Sequence, residues 1–461
     1  MFNRRVHRLG TVFLALTLLL SLRIVWWQMV RPEPHRTQTG PAAGSGIEVL
    51  TGGAPGDLAE VPAPVLQRAR KQLDRIARGS IYDRRGRLLA FTDTGGRRVY
   101  TDPSLAPAVG YVSGIGLGVA GLEDGYNETL LGLNRLDTQA RLALRQPAQG
   151  SSLVLTIDSA VQRAASEALA GRPGAVVVLD AHSGAVLALV SNPHFDPNRV
   201  LEPDYIANLV AACGGEPSCR APFLNRATQA RYTPGSTWKT VTLIAALDSG
   251  QVTPETVFDF GEPRPGPNGP VYVYEVGGGE IPDPNHTESR LDLAMSYARS
   301  ANAAFARLGD EMPPETFRDY AVRLGFGAPG EVDFSLGIAY TPSQVANEPA
   351  ELVENDLLRA ATAIGQGELL ASPLNMALVA AAVINDGARP QPYIVDRSRS
   401  PYGVGIPALR IGGGERVMSA QTAEQAQAIM VTAVEQGSGS PARVPGARVG
   451  GKTGTAQLGG E

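Results

Sequence analysis

Lysine is scarce in this chain of 461 residues: of 41 basic side chains three are lysine (Lys71, Lys239, Lys452) and the other 38 are arginine. The skew reads as a general arginine habit, yet it marks each lysine, because lysine can lose its proton at accessible pH and arginine cannot. Cysteine and histidine are also sparse, at two and five residues, and no Cys-x-x-Cys pair occurs, which excludes a zinc module and leaves no metal site to expect. A formal charge of −4 gives no electrostatic footprint for nucleic acid. Charged residues make up 19% and hydrophobic ones 43%, so the chain is neither disordered nor wholly membrane-embedded. Its length allows two or three domains. No internal repeat is present.

The long hydrophobic run that does exist is at the N-terminus. Leu9–Val30 is long enough to cross a hydrocarbon core of roughly 30 Å, with Trp26 and Trp27 suited to an interfacial belt. Arg4, Arg5 and Arg8 precede it, so the positive-inside rule predicts a cytoplasmic N-terminus and an extracytoplasmic remainder. The run is long for a cleaved signal peptide and no A-x-A site follows directly, so residues 1–31 are predicted to be a single-pass membrane anchor.

Residues 32–64 are rich in Pro, Gly, Ala and Thr and read as a flexible linker. A charged helical stretch is predicted near Pro64–Arg78, then a hairpin with Ile81–Tyr82 returning through Leu88–Phe91. Residues 65–148 form a small N-terminal module and 149–461 a larger one. The larger module opens with a strand at Leu153–Ile157, an N-cap at Asp158 and an amphipathic helix. Two strands follow around a turn at Ala181–Gly184. Helices are predicted at Thr237–Leu247, Leu291–Leu308, Asn355–Ile364, Pro373–Ile384 and Ala420–Glu435. Strands flanking a helical middle predict an α+β fold with an antiparallel sheet. Cys213 and Cys219 enclose a short loop in which a disulfide is plausible outside the cytoplasm.

Two of the three lysines sit in short motifs. Tyr232-Thr-Pro-Gly-Ser236-Thr-Trp-Lys239 places a Pro-Gly turn before an apolar helix, with Ser236 at its N-terminus and Lys239 three residues on, along the same face. That spacing suits a hydroxyl nucleophile beside an amine able to take its proton. Gly450-Gly-Lys452-Thr-Gly-Thr455 alternates hydroxyl and glycine, so Thr453 and Thr455 can share one side of a strand while Gly454 lets a ligand approach the backbone. Ser300-Ala301-Asn302 lies between the two. Each motif alone is weak. Ser-x-x-Lys, Ser-x-Asn and Lys-Thr-Gly in that order form a combined signature.

With these residues the chain resembles the class B penicillin-binding proteins, D,D-transpeptidases of peptidoglycan synthesis, and within them the division-associated penicillin-binding protein A type. Further matching stretches are Arg78-Gly-Ser-Ile-Tyr-Asp-Arg-Arg-Gly86, Gly121-Leu-Glu123, Leu224-Asn-Arg-Ala227, Gly365-Gln-Gly-Glu368, Ser372-Pro373 and Asn385-Asp-Gly387. The resemblance implies an anchor, a non-catalytic module and a transpeptidase domain with a helical subdomain. It implies Ser236 as nucleophile toward the penultimate D-alanine of a stem peptide ending in D-Ala-D-Ala, Lys239 as general base and Ser300 as proton relay. Asn302 would hold the peptide backbone, Lys452, Thr453, Gly454 and Thr455 the terminal carboxylate, and the Ser236 and Thr455 N–H groups the oxyanion. β-Lactams would acylate Ser236, no cofactor is required, and a membrane glycosyltransferase of the FtsW/RodA type would be the partner.

Only seven residues follow Gly454, whereas the resemblance implies two more strands and a C-terminal helix, so a C-terminally truncated transpeptidase domain is expected. A catalytically inactive structural partner of that glycosyltransferase is the alternative reading. A β-lactamase or penicillin sensor fits less well, because no Glu-x-x-Leu-Asn follows Asn302. A carboxypeptidase would differ only in its acceptor, water. Asp83, Arg84 and Glu123 are expected to be structural, His286 to be a solvated loop residue, and His182 and His194 to be exposed.

Overall fold

The computed structural model describes residues 73, 75–114, 116–212, 221–327, 334, 336–346, 350–408 and 414–456. Cys213 and Cys219, and with them the expected disulfide, lie outside the described residues.

Local chemistry sets the element boundaries. The Asp83 carboxylate accepts the N–H groups of Arg85 and Arg87 at 2.8 Å, closing the turn between Ile81–Tyr82 and Leu88–Thr92. Asp158 caps the helix Ser159–Leu169 through the Ala160 N–H. Ser372 caps Pro373–Ile384, whose proline occupies the first turn where its missing N–H costs nothing. Ser419 caps Ala420–Gln436 in the same way.

A six-stranded sheet runs in the order Gly405–Pro407, Val395–Arg399, Ser152–Leu155, Ile81–Tyr82, Leu88–Thr92, Arg98–Tyr100. Its pairs are antiparallel except Ile81–Tyr82 with Ser152–Leu155, which is parallel. Strands from both sides of residue 148 therefore share one sheet. Gly174–Leu179 and Val186–Asn192 form a separate antiparallel hairpin. Within the 76–127 region Glu123 is fully buried between two arginines, 2.6 Å from Arg78 Nε and 2.7 Å from Arg98 Nε, in keeping with the structural role expected of it.

The helical half surrounds Lys239–Asp248, whose residues from Lys239 to Leu247 are all buried. Pro314–Arg323, Asn302–Glu311, Asp356–Ala363 and Ala420–Gln436 pack around it. Trp238, at the start of that helix, meets Phe326 edge-on with ring centroids 4.5 Å apart.

The fold is α+β, as expected. The single transmembrane helix attached to that expectation is corrected: no helix among the described residues is long and apolar enough to cross a membrane. The Leu9–Val30 stretch lies outside those residues. The single-pass, extracytoplasmic placement drawn from it is withdrawn accordingly. Two local expectations also change. The helix predicted over Leu291–Leu308 is two helices, Leu293–Ala298 and Asn302–Glu311, broken where Ser300 takes a left-handed φ of 63°. The end of the helix predicted to Arg78 is instead a strand, Ile76–Ala77, parallel to Ala148–Gln149.

Candidate active site

The serine turn is built by close backbone contacts. Gly235–Trp238 is a 3-10 turn leading into Lys239–Asp248, which leaves early N–H groups without helical partners. Gly235 has φ of 55°, and its N–H donates to the Gly365 carbonyl at 3.0 Å. A Cβ on Gly365 would sit 1.8 Å from the Gly235 oxygen, so the Gly365-Gln-Gly-Glu368 stretch must keep its glycine to support the turn. Tyr232 and Ala371 exchange two backbone hydrogen bonds of 2.9 and 2.8 Å just before the serine.

Lys452-Thr-Gly-Thr455 packs against that turn. A Cβ on Gly454 would lie 2.7 Å from Thr237 Cγ2 and 2.9 Å from the Pro234 oxygen. The segment was predicted as a strand, but no strand pairs with it among the described residues, and without ladder hydrogen bonds it is irregular. Its position comes from these glycine contacts and from one backbone bond, Gly451 N–H to Met430 O at 3.0 Å.

The two lysines converge on Ser300. Lys239, fully buried, donates to the Ser300 carbonyl at 2.6 Å and to Asn302 Oδ1 at 2.7 Å, and its Nζ lies 3.3 Å from Ser300 Oγ. Lys452 Nζ reaches the same Ser300 Oγ at 2.9 Å and the Thr453 carbonyl at 3.0 Å, lying over the Tyr297 ring. Burial, and then the neighbouring Lys452 charge, hold Lys239 well below the ordinary lysine range against the opposing pull of Asp283. Burial pushes Lys452 down to about 8. Ser236 is half-buried, and among the described residues no hydrogen bond joins it to Lys239. Thr453 Oγ1 is 2.7 Å from Ser438 Oγ, while Thr453, Gly454 and Thr455 stand exposed.

Lys239, Ser300, Asn302 and Lys452 thus form one hydrogen-bonded cluster, and the turn carrying Ser236 packs against the Lys452–Thr455 segment. A lysine pair of this kind, one amine with a strongly lowered proton affinity beside hydroxyls and one still charged below about 8, can move a proton and hold an anion.

A model of the penicillin binding protein transpeptidase domain matches residues 174–461. The chain belongs to this family. Peptidoglycan D,D-transpeptidase PbpA of Mycolicibacterium smegmatis is 31% identical over 390 residues, which cover 81% of this chain and 76% of that protein. Among solved structures, the D,D-transpeptidase domain of a peptidoglycan glycosyltransferase from Eggerthella lenta superposes with a TM-score of 0.70 at 30% identity, covering 84% of this chain and 88% of that one. The imipenem acyl-enzyme complex of penicillin-binding protein A from M. tuberculosis gives 0.71 at 27% identity, covering 84% and 88%.

Within this member of the family, several polar residues of the site were not anticipated. Asn285 Nδ2 donates to the Ser300 carbonyl at 2.9 Å. His286, expected in solvent, is buried with its side chain fully enclosed, stacked on Tyr272 and 3.2 Å from the buried Asp283 carboxylate. The rings of Phe260 and Tyr272 enclose it, and nothing in the sequence next to His286 signals them. His194, also expected exposed, is half-buried beside the cis Asn192–Pro193 bond, and burial pushes it down. His182 is exposed as expected. Asp283 carries no local signal, being one acid in Pro-Asp-Pro-Asn.

Proposed function

We propose that Ser236, Lys239, Ser300, Asn302 and the Lys452–Thr455 segment divide the work of acyl transfer in this chain, a serine-type peptidoglycan D,D-transpeptidase. Ser236 attacks the carbonyl of the penultimate D-alanine of a donor stem peptide and expels the terminal D-alanine. The amine of a second stem peptide then resolves the ester, forming the cross-link and restoring the hydroxyl. β-Lactams enter at the first step and stop there.

The observation that carries this assignment is the hydrogen-bonding of Lys239. Neutral lysine has two N–H groups, and the two shortest contacts, to the Ser300 carbonyl and Asn302 Oδ1, use both. Its lone pair is then free to face the hydroxyl side, where Ser236 is one helical turn away and Ser300 Oγ is 3.3 Å distant. The lowered proton affinity of Lys239 keeps that neutral form populated. Ser300 Oγ, which touches both lysines, passes the proton onward to the leaving amine in this reading. Lys452 holds the terminal carboxylate with Thr453 and Thr455, and N–H groups at the serine turn and at Thr455 receive the oxyanion, each contributing a few kcal/mol.

Residues 65–148 serve as the non-catalytic module and 149–461 as the transpeptidase domain. The first is assigned to docking a membrane glycosyltransferase of the FtsW/RodA type, in cell-wall synthesis at division. The test of the catalytic reading is release of D-alanine from a stem peptide ending in D-Ala-D-Ala, with and without an amine acceptor. Transpeptidation requires a cross-linked product whose yield rises with acceptor. D-alanine release that ignores acceptor would instead assign a carboxypeptidase.

A further inference from the structure

The helix Asn302–Glu311 begins without a cap of its own. Its N-cap position is Ala301, which has no side-chain acceptor. A carboxylate from outside fills the role. Asp283, ending the strand Gly279–Asp283, is fully buried and accepts the Ala303 N–H through Oδ2 at 2.8 Å. The same loop grips the Ser-x-Asn turn at two more points: Asn285 Nδ2 on the Ser300 carbonyl at 2.9 Å, and the Pro282 carbonyl accepting from Asn302 Nδ2 at 2.9 Å. These are the groups to which Lys239 itself is bonded.

Behind Asp283 lies His286. Its Nδ1 faces the Glu288 carbonyl at 2.9 Å and its Nε2 faces Asp283 Oδ2 at 3.2 Å. Both partners are acceptors, and the ring bridges them from one side to the other. We propose that Asp283 and His286 are a buried positioning pair that caps the Asn302–Glu311 helix from outside and, through its charge, sets how readily Lys239 gives up its proton. The pair goes beyond the motif residues and rests on the reading of Lys239 as general base. Neither member touches substrate; both act through Lys239 and the Ser-x-Asn turn.

The charged and titratable groups around Lys239 come from each element packed on it. They are Lys452 from the C-terminal segment, Asp283 from the strand, and Tyr297 from the helix Leu293–Ala298. His286 and Glu288 come from the intervening loop, Glu288 paired with Arg299 at 3.4 Å. Lys452 opposes a proton on Lys239 and Asp283 favours one. Removing the Asp283 charge while keeping an acceptor therefore lowers the pH at which Lys239 becomes protonated. Removing His286 takes away the ring that faces Asp283 Oδ2, leaves the carboxylate's charge less offset, and raises that pH.

The experiment is the rate of acylation by a fluorescent penicillin against pH, for the full chain, Asp283→Asn and His286→Gln, with thermal melting to establish folding. Asp283→Asn is expected to move the acid limb down by about one pH unit. A reduced rate with an unmoved limb would overturn the proposal, leaving Asp283 as a cap alone. Where Asp283→Asn does not fold, His286→Gln decides: an upward shift supports the pair, and an unmoved or lowered limb overturns it. Labelling that survives Ser236→Ala would remove the catalytic reading itself, an outcome distinct from either.

Discussion

At the scale of single residues, the site depends on two lysines having different proton affinities within one cluster. The working form of Lys239 is the neutral amine, so acylation rises with pH as the proton leaves. The working form of Lys452 is the cation, present below about 8 and lost above it. Their combination predicts a bell-shaped profile of acylation against pH whose alkaline limb lies near 8. In Lys452→Arg the alkaline limb should disappear, because arginine keeps its charge. In Lys239→Arg the rate should fall by about 10²–10⁴ at every pH, since the base is lost. Stopped-flow labelling across pH checks both. Scarcity made these lysines legible in the sequence: with arginine the rule, a lysine at each of two motif positions stands out. Burial was not legible. A histidine three residues after an aspartate looks the same in solvent or core, and His286 is enclosed by Tyr272 and Phe260 from other elements.

At the scale of elements, the informative feature is the break at Ser300. Tyr297-Ala-Arg-Ser-Ala-Asn-Ala-Ala-Phe305 contains no glycine or proline, so periodicity runs a helix straight through it. The chain breaks because Lys239 and Asn285 hold the Ser300 carbonyl and Asp283 caps the next helix. A left-handed serine costs about 1–3 kcal/mol, sustained by those bonds. Ser300→Gly should therefore hold or raise the melting temperature while Ser300→Ala lowers it, and both should lose acylation rate with the hydroxyl. Calorimetry alongside penicillin labelling separates the two effects. A second element-scale expectation concerns Gly365, where a Cβ would meet the Gly235 oxygen at 1.8 Å. Gly365→Ala should displace the serine turn and depress labelling more than stability. The helices Pro373–Ile384 and Ala420–Gln436 were legible almost to the residue, because Ser-Pro and Ser-Ala starts with apolar faces are local signals. The hairpin of Gly269–Val276 and Gly279–Asp283, which delivers Asp283, was not legible in the sequence.

At the scale of the molecule, one sheet joins strands from residues 81–100 to strands from 152–155 and 395–399. Sequence patterns mark strands but not their partners across hundreds of residues, so the α+β class was legible and this pairing was not. The buried Arg78–Glu123–Arg98 cluster ties the 78–123 segment together. Burial alone would raise Glu123, but the two guanidiniums overcome it and hold the carboxyl below its ordinary range. Its contribution to stability is thus full above the ordinary carboxylate value of about 4.3 and is lost as pH falls through the lowered folded value. Glu123→Gln should destabilise by about 3–5 kcal/mol at neutral pH, read by denaturant unfolding, because it leaves two buried arginines uncompensated. The account as a whole turns on Ser236. Mass spectrometry of the full chain after incubation with benzylpenicillin tests it most directly. An adduct of intact penicilloyl mass on the peptide containing Ser236, absent from Ser236→Ala, is the predicted result. A folded chain that forms no adduct, or an adduct that persists in Ser236→Ala, would contradict it.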